Sequence, residues 1–300
     1  MMQNKVTVKQ RKFRKLEELN LIDNFLFQEM LSQKDIGEEF ARILLSTILE
    51  KPIRKVKIVP QKSILGVDTD RHGVRLDAYI EDVSDELNGG MTDAEVVSDI
   101  YDMEPNLTYE SENLPRRTRF YHGMIDTQFF EAGAAYDKLP NVIIIMILPY
   151  DPFGRNRMVY TIQNHCTEIP DLPYDDGAKK IFLYTKGTEG NPSQELKDML
   201  KYIQKTTDDN VTNSDIASIH QFVHKVKLKK EVGINYMKSW EIEKMVRDEA
   251  YHEGYEEGRN QAKRINQLHI KLVEAGRIEE ILKAAQDEEY QENLLKEFDL

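Results

Sequence analysis

The apolar and polar positions along the chain divide it into a helical opening, a strand-rich middle and a helical end. Leu21, Ile22, Phe25, Leu26 and Met30, then Phe40, Ile43, Leu44 and Leu45, keep the three-and-four spacing of a buried helical stripe. They predict helices within 16–50, with Asp23 placed to cap the first and Asp35 the second. After Pro52 the period changes to two, and 54–59 reads as a strand. From Gly73 a second strand, GVRLDAYIED, sets Val74, Leu76, Ala78 and Ile80 on one face and Arg75, Asp77, Tyr79 and Glu81 on the other. Residues 84–98 contain Gly89-Gly90 and no clear period, which reads as a loop or hairpin extension. A third strand is expected at 99–104, ended by Pro105, which cannot donate to a ladder.

Leu114-Pro115 opens a predicted helix, RRTRFYHGMIDTQFFEAGAAY, because proline suits a first helical turn. The unbroken apolar run 141–148 predicts a strand buried on both faces. Further strands are expected at 157–166 and 179–184, and helices beyond Asn191. From 234 the pattern is one long charged helix, then a short one at 278–285. Together these elements predict an α/β core with a mixed sheet. The expected organisation is a basic arm over 1–15, a core over 16–190, a helical extension over 191–233 and a charged helical tail over 234–300.

Composition refines this picture. Hydrophobic residues make up 40% of the 300, enough for a sizeable core, while 31% charged residues and a mean hydropathy of -0.59 suit long solvated helices beside it. The net charge of -12 has the wrong sign for a nucleic-acid binder. Its distribution softens the objection: Lys5, Lys9, Arg11, Lys12, Arg14 and Lys15 crowd the first fifteen residues, and residues 238–300 alone carry half the net negative charge. A local basic groove elsewhere is compatible with that distribution. Cys166 is the single cysteine, which excludes an internal disulfide and a cysteine-rich zinc site. The first twenty residues have no apolar segment of the secretory type, and the longest apolar run is too short to span a bilayer. A cytoplasmic protein with no membrane partner is expected.

The candidate chemistry lies on the second and third strands. Asp77 stands mid-strand among polar neighbours, and a buried carboxylate needs a partner. Asp102, Glu104 and Asn106 recur at a spacing of two and share a face with Ile100, while Tyr101 and Met103 point the other way, placed to pack under the following helix. If the two strands pair, Asp77 and Glu104 meet at one edge, as a hard-cation site suited to Mg²⁺, with Mn²⁺ as a substitute. Such an ion polarises a phosphodiester and supplies hydroxide. The plainer alternative is that these are solvated strand-end carboxylates.

The blocks LIDNFLFQEML, GVRLDAYIEDVSD, IYDMEPN, LPRRTRFYHGMIDTQFFEAGAAYDKL and NVIIIMILPYDPFG, in that order over roughly residues 20 to 187, resemble the PD-(D/E)XK nuclease family transposases, also called recombination-promoting nucleases. The tail segment HEGYEEGR is similar to the Glu-Gly repeats common in that family. The resemblance implies a restriction-endonuclease-like mixed sheet flanked by helices, with a helical C-terminal tail, and a Mg²⁺-dependent DNA endonuclease. Asp77 matches the motif aspartate and Glu104 the motif glutamate. Asn106 stands where the family has glutamine and Pro105 where it has a hydrophobic residue, two departures that bear on activity. Asn106 is the expected group for orienting the attacking water. Asp23 matches a family aspartate that approaches the metal, with helix capping as its other role. Arg116, Arg117, Arg119, Tyr121 and Gln128 match a basic-aromatic helix that holds DNA phosphate or orients the carboxylates, against a reading as packing and surface ion pairs. The stretch between Asp77 and Glu104 is longer than usual. A catalytically degenerate binding module, and a defence or toxin-like interaction protein acting through its acidic tail, are the alternatives.

Weaker signals lie further along. His220 and His224 stand four apart on a predicted helix, a metal-binding spacing, but Gln221 occupies the place of a zinc peptidase's glutamate, so they read as solvated or packing residues. Lys225, Lys227, Lys229 and Lys230 read as a solvated helix end. The sparse apolar residues of 240–275, interrupted by Gly254 and Gly258, leave a helix that either pairs with a second copy or is marginal.

Overall fold

The computed structural model describes residues 13–60, 63–64, 74–75, 78–85, 95–109, 113–128 and 135–300. Asp77 and most of the basic arm lie outside the described residues. The chain divides into two compact units between Ile234 and Asn235.

In the first unit, α1 (Asn24–Ser32) and α2 (Gly37–Leu49) precede the strands β1 (Val56–Pro60), β2 (Ser63–Ile64), β3 (Val74–Arg75), β4 (Ala78–Asp85) and β5 (Glu95–Pro105). Helix α3 (Leu114–Asp126) leads to β6 (Asn141–Leu148), β7 (Val159–Ile162) and β8 (Ala178–Tyr184). Helices α4 (Gln194–Gln204) and α5 (Ser214–Leu228) follow, then α6 (Lys230–Glu274), α7 (Glu279–Ala284) and α8 (Glu288–Glu297). Six strands form one mixed sheet in the order β1-β4-β5-β6-β8-β7, and β2 pairs with β3 in a separate ribbon. Strands β1, β4 and β5 are antiparallel neighbours; β5, β6 and β8 are parallel; β7 runs antiparallel to β8. The expected mixed sheet flanked by helices, with a long helical C-terminal region, is therefore what the chain forms.

Alternation explains the centre. Residues 142–148 of β6 are all buried, as the unbroken apolar run predicts. Val142, Ile144, Met146 and Leu148 join Tyr79, Ile100, Phe182 and the α3 residues Leu114, Tyr121 and Ile125 in one core. This corrects one expectation: α3 covers the face of β5 that carries Ile100, whereas Tyr101 and Met103, both fully buried, lie outside that core. Ile100 of β5 is in register with Val142 of β6 and Asp102 with Ile144, so these residues share one face of the sheet, and the buried stripe of α3 packs on that face. The β4–β5 hairpin also pairs further than the sequence suggests, from Tyr79↔Asp102 out to Asp85↔Glu95, so β5 begins four residues early. Strand β7 is shorter than expected.

At the start of β6, Asp99 draws three groups together. It accepts from Lys51 Nζ at 3.0 Å, Tyr101 Oη at 3.0 Å and Asn141 Nδ2 at 2.7 Å. Burial works against its charge, and these donors more than offset it, holding the carboxyl below its usual range.

Helices α4 and α5 are integral to this first unit. Leu21 N–H donates to Thr206 Oγ1, Ile22 N–H to the Ile203 carbonyl and Ser193 N–H to Glu50, so the sequence around α1 and α2 is tied to residues 193–206. Ser193 caps α4 and Asn213 caps α5, each accepting from the third following amide. The basic run at the end of α5 is partly structural: Lys227 donates to the Glu17 and Leu19 carbonyls, and Lys229 to Gln33. Asp35 pairs with Lys229 and does not cap α2, whose N-cap is Ile36.

In the second unit Leu268, Leu272, Ala284, Leu294 and Leu295 form a small core. Arg277 bridges Glu280 and Glu297, and Asp287 caps α8, a helix the sequence reading did not separate. Ile242, Met245 and Val246 of α6 are exposed. Among the described residues no helix is long and apolar enough to cross a membrane.

Candidate functional site

The C-terminal half of β5 carries Asp102 and Glu104, and Asn106 follows directly after its last residue; all three are buried. Asp102 pairs in register with Ile144 of β6 and Glu104 with Met146, so the carboxylates enter the sheet at its centre. Pro105 ends β5, as expected. Asn106 N–H donates to the Ile147 carbonyl at 2.9 Å. Successive amides point to opposite edges of a strand, so the donor that Pro105 lacks would face away from β6, and the β5–β6 ladder survives the proline.

Helix α3 supplies the positive charge. Pro115 lies in its first turn, and the helix then sets Arg117 and Tyr121 one turn apart. Arg117 Nη2 donates to Glu104 Oε2 at 2.8 Å, and Arg117 Nε donates to the Tyr121 hydroxyl at 2.7 Å. The guanidinium also lies 5.3 Å from the centre of the Tyr121 ring. Glu104 is 1% exposed, where a carboxylate requires a compensating charge. Burial, then the negative charge of Glu104, push the Tyr121 hydroxyl up to about 12 against the opposing pull of Arg117; Asp102 adds in the same direction. Both carboxylates therefore lie close enough to Tyr121 to act on it.

Asn106 is used asymmetrically. Its Oδ1 accepts from Thr108 N–H at 2.9 Å, closing a turn just past the strand. Its Nδ2 is buried with no hydrogen-bond partner among the described residues. The group that remains for chemistry is thus a donor. The two carboxylates are hard oxygen ligands that fit a small divalent cation such as Mg²⁺ better than a soft metal, while the amide nitrogen can only donate a hydrogen bond.

The other residues singled out from sequence are placed differently. Arg116 and Arg119 are exposed on α3. Gln128 is exposed beyond the end of α3, so it is not a helical residue as expected. Asp23 occupies the N-cap position of α1 without capping it; its carboxylate accepts from Asn20 N–H and pairs with Arg14. Asp77, the first motif position, lies outside the described residues.

Sequence reasoning missed His122. Its Nε2 lies 3.1 Å from the Lys179 carbonyl, and its Nδ1 is buried without a partner among the described residues. Burial, then the charge of Lys180, drives its pKa down to about 4. Only the helical phase of α3, which places it beside Tyr121 and toward β8, gives any signal of this.

No family model matches the chain, and neither curated proteins nor solved structures give a match.

Proposed function

We propose that the chain is a metal-dependent DNA endonuclease of the transposase-like PD-(D/E)XK type. The observation that carries this reading is the buried Glu104 carboxylate on the central strand β5, gripped by Arg117 of α3 beside Asp102 and the Asn106 donor. Arg117 offsets the burial of Glu104, and two carboxylates buried two residues apart on one strand are a pattern found at sites that bind a cation or carry a reaction. Mixed pairing supports it too, with an antiparallel β1-β4-β5 edge passing through α3 to parallel β6 and β8, as the restriction-endonuclease-like arrangement requires.

In this reading Asp77 and Glu104 are the residues that would hold Mg²⁺, which, when bound, polarises the phosphodiester and lowers the pKa of water. Asn106 Nδ2 donates to the attacking water or to a phosphate oxygen. Arg117 fixes the Glu104 rotamer through Oε2, and Tyr121 in turn fixes Arg117. Arg116 and Arg119, exposed on the same helix, contact DNA phosphates.

Plasmid cleavage with Mg²⁺ or Mn²⁺ tests this, comparing the native chain with Asp77→Asn and Glu104→Gln. Loss of nicking in both variants, with their folding intact, is expected. Equal nicking in all three removes the proposal. One observation favours a second reading, a non-cutting DNA-binding module: Arg117 already occupies Glu104 as an ion-pair partner. DNA retention on the native chain without cleavage under either metal would select it.

A further inference from the structure

Far from β5 in sequence, Asp208, His220 and His224 come together. Their ligand atoms all lie within 4.8 Å of one another. His220 and His224 stand one turn apart on α5, with ring centres 4.7 Å apart. Asp208 opens the short 3-10 turn Asp208–Asn210 between α4 and α5, and its Oδ1 lies 3.0 Å from His220 Nε2. That turn is fixed by Asn210, whose N–H donates to the Thr207 carbonyl and whose Nδ2 donates to the Lys205 carbonyl.

We infer that Asp208, His220 and His224 form a binding site for a borderline transition-metal ion of the Zn²⁺ class. Three features support it. Tetrahedral ligands about 2.0–2.1 Å from zinc stand roughly 3.4 Å from each other, so the cluster needs only small side-chain adjustments to close on one ion. The second support is outside the ligand set: His220 Nδ1 lies 2.9 Å from the hydroxyl of Tyr202, which is fully buried on α4. That hydroxyl can accept a hydrogen bond from Nδ1–H, which leaves the Nε2 lone pair on the side of Asp208, the arrangement typical of metal-bound histidine. Thirdly, Asp208 and His224 are exposed and His220 partly so, which leaves an ion a path from solvent. Two imidazoles with one carboxylate select Zn²⁺, Co²⁺ or Ni²⁺ over Mg²⁺. The site is therefore chemically separate from the carboxylates of β5. An ion there would clip the α4–α5 turn onto α5.

The test is titration of the full chain with Co²⁺ and with Zn²⁺ in excess Mg²⁺, followed by visible absorption and calorimetry. One equivalent is expected to bind with a visible d–d band, to be displaced by Zn²⁺, and to raise the thermal midpoint. His224→Ala changes an exposed residue and should weaken binding at least tenfold without altering the fold. Asp208→Asn should weaken it less, and Glu104→Gln not at all. Binding that survives His224→Ala unchanged, or that is lost with Glu104→Gln, or no saturable binding to the native chain, overturns the assignment.

Discussion

Arg117 reaches from α3 to Glu104 on β5 with a bond of 2.8 Å, and the same guanidinium donates to Tyr121 at 2.7 Å. One cation thus joins the only buried glutamate among the described residues to the core-facing side of a helix. Helix position and carboxylate geometry are coupled through it.

Replacing Arg117 with alanine should therefore destabilise the chain. Glu104 would remain buried without its cation, and breaking such a pair costs about 2–4 kcal/mol once the partial exposure of Arg117 is allowed for. Urea unfolding of native and Arg117→Ala chains measures this. A difference under about 0.5 kcal/mol, the usual range for surface changes, would show that Arg117 does not compensate Glu104.

Tyr121→Phe keeps the ring in the core and removes the hydroxyl that accepts from Arg117. A loss of about 1 kcal/mol is expected, the ordinary size for one hydrogen bond, and part of it should disappear when Arg117 is already alanine. A double-mutant cycle gives the coupling directly. Fully additive effects would mean that the tyrosine does not hold the arginine.

His122 predicts a pH dependence. Its pKa is about 4 in the folded chain and about 6.5 when unfolded. Between these values the unfolded chain binds more protons, so stability rises with pH through the window and is lost as pH falls through it. The full contribution is roughly 3 kcal/mol. His122→Gln should flatten the change in unfolding free energy between about pH 7 and about pH 4.5, whatever its effect at neutral pH.

Gly177 precedes β8 with φ of 73°, and a Cβ there would lie 2.5 Å from Asn141 Oδ1. Gly177→Ala adds left-handed strain and disturbs the residue that donates to Asp99. A loss of about 2 kcal/mol or more is expected in thermal or urea unfolding. Asn141→Ala combined with it should cost less than the sum.

If Arg116 and Arg119 contact DNA phosphates, replacing both with alanine should reduce the salt slope of log binding constant by about 1.8 and weaken binding to all sequences alike. An unchanged slope would leave them as surface residues of α3.

The readable parts of the sequence were those where one element's periodicity decided the answer. The apolar run of β6 needed burial on both faces, and a sheet centre provides it. Glu104 and Asn106 were legible because period two fixes which strand residues share a face, and Arg117 with Tyr121 because one helical turn sets them together. The side of the sheet that α3 would cover was not legible, since it depends on how the chain crosses between β5 and β6 and not on either element alone. Asp23 and Asp35 misled as capping signals because Arg14, Asn20 and Lys229, distant or out of period, compete for their carboxylates.

By itself the sequence determined the order of most helices and strands though not all their bounds, which residues of each share a face, and that carboxylates recur along the third strand, because these follow from backbone geometry repeated every two or 3.6 residues. Only the tertiary structure decided that Arg117 meets Glu104, that Asn106 keeps its amide nitrogen for use, and that Asp208 joins His220 and His224. Those meetings depend on the register between strands and on the packing of helices against them, which are set by the whole core at once and leave no local period to read.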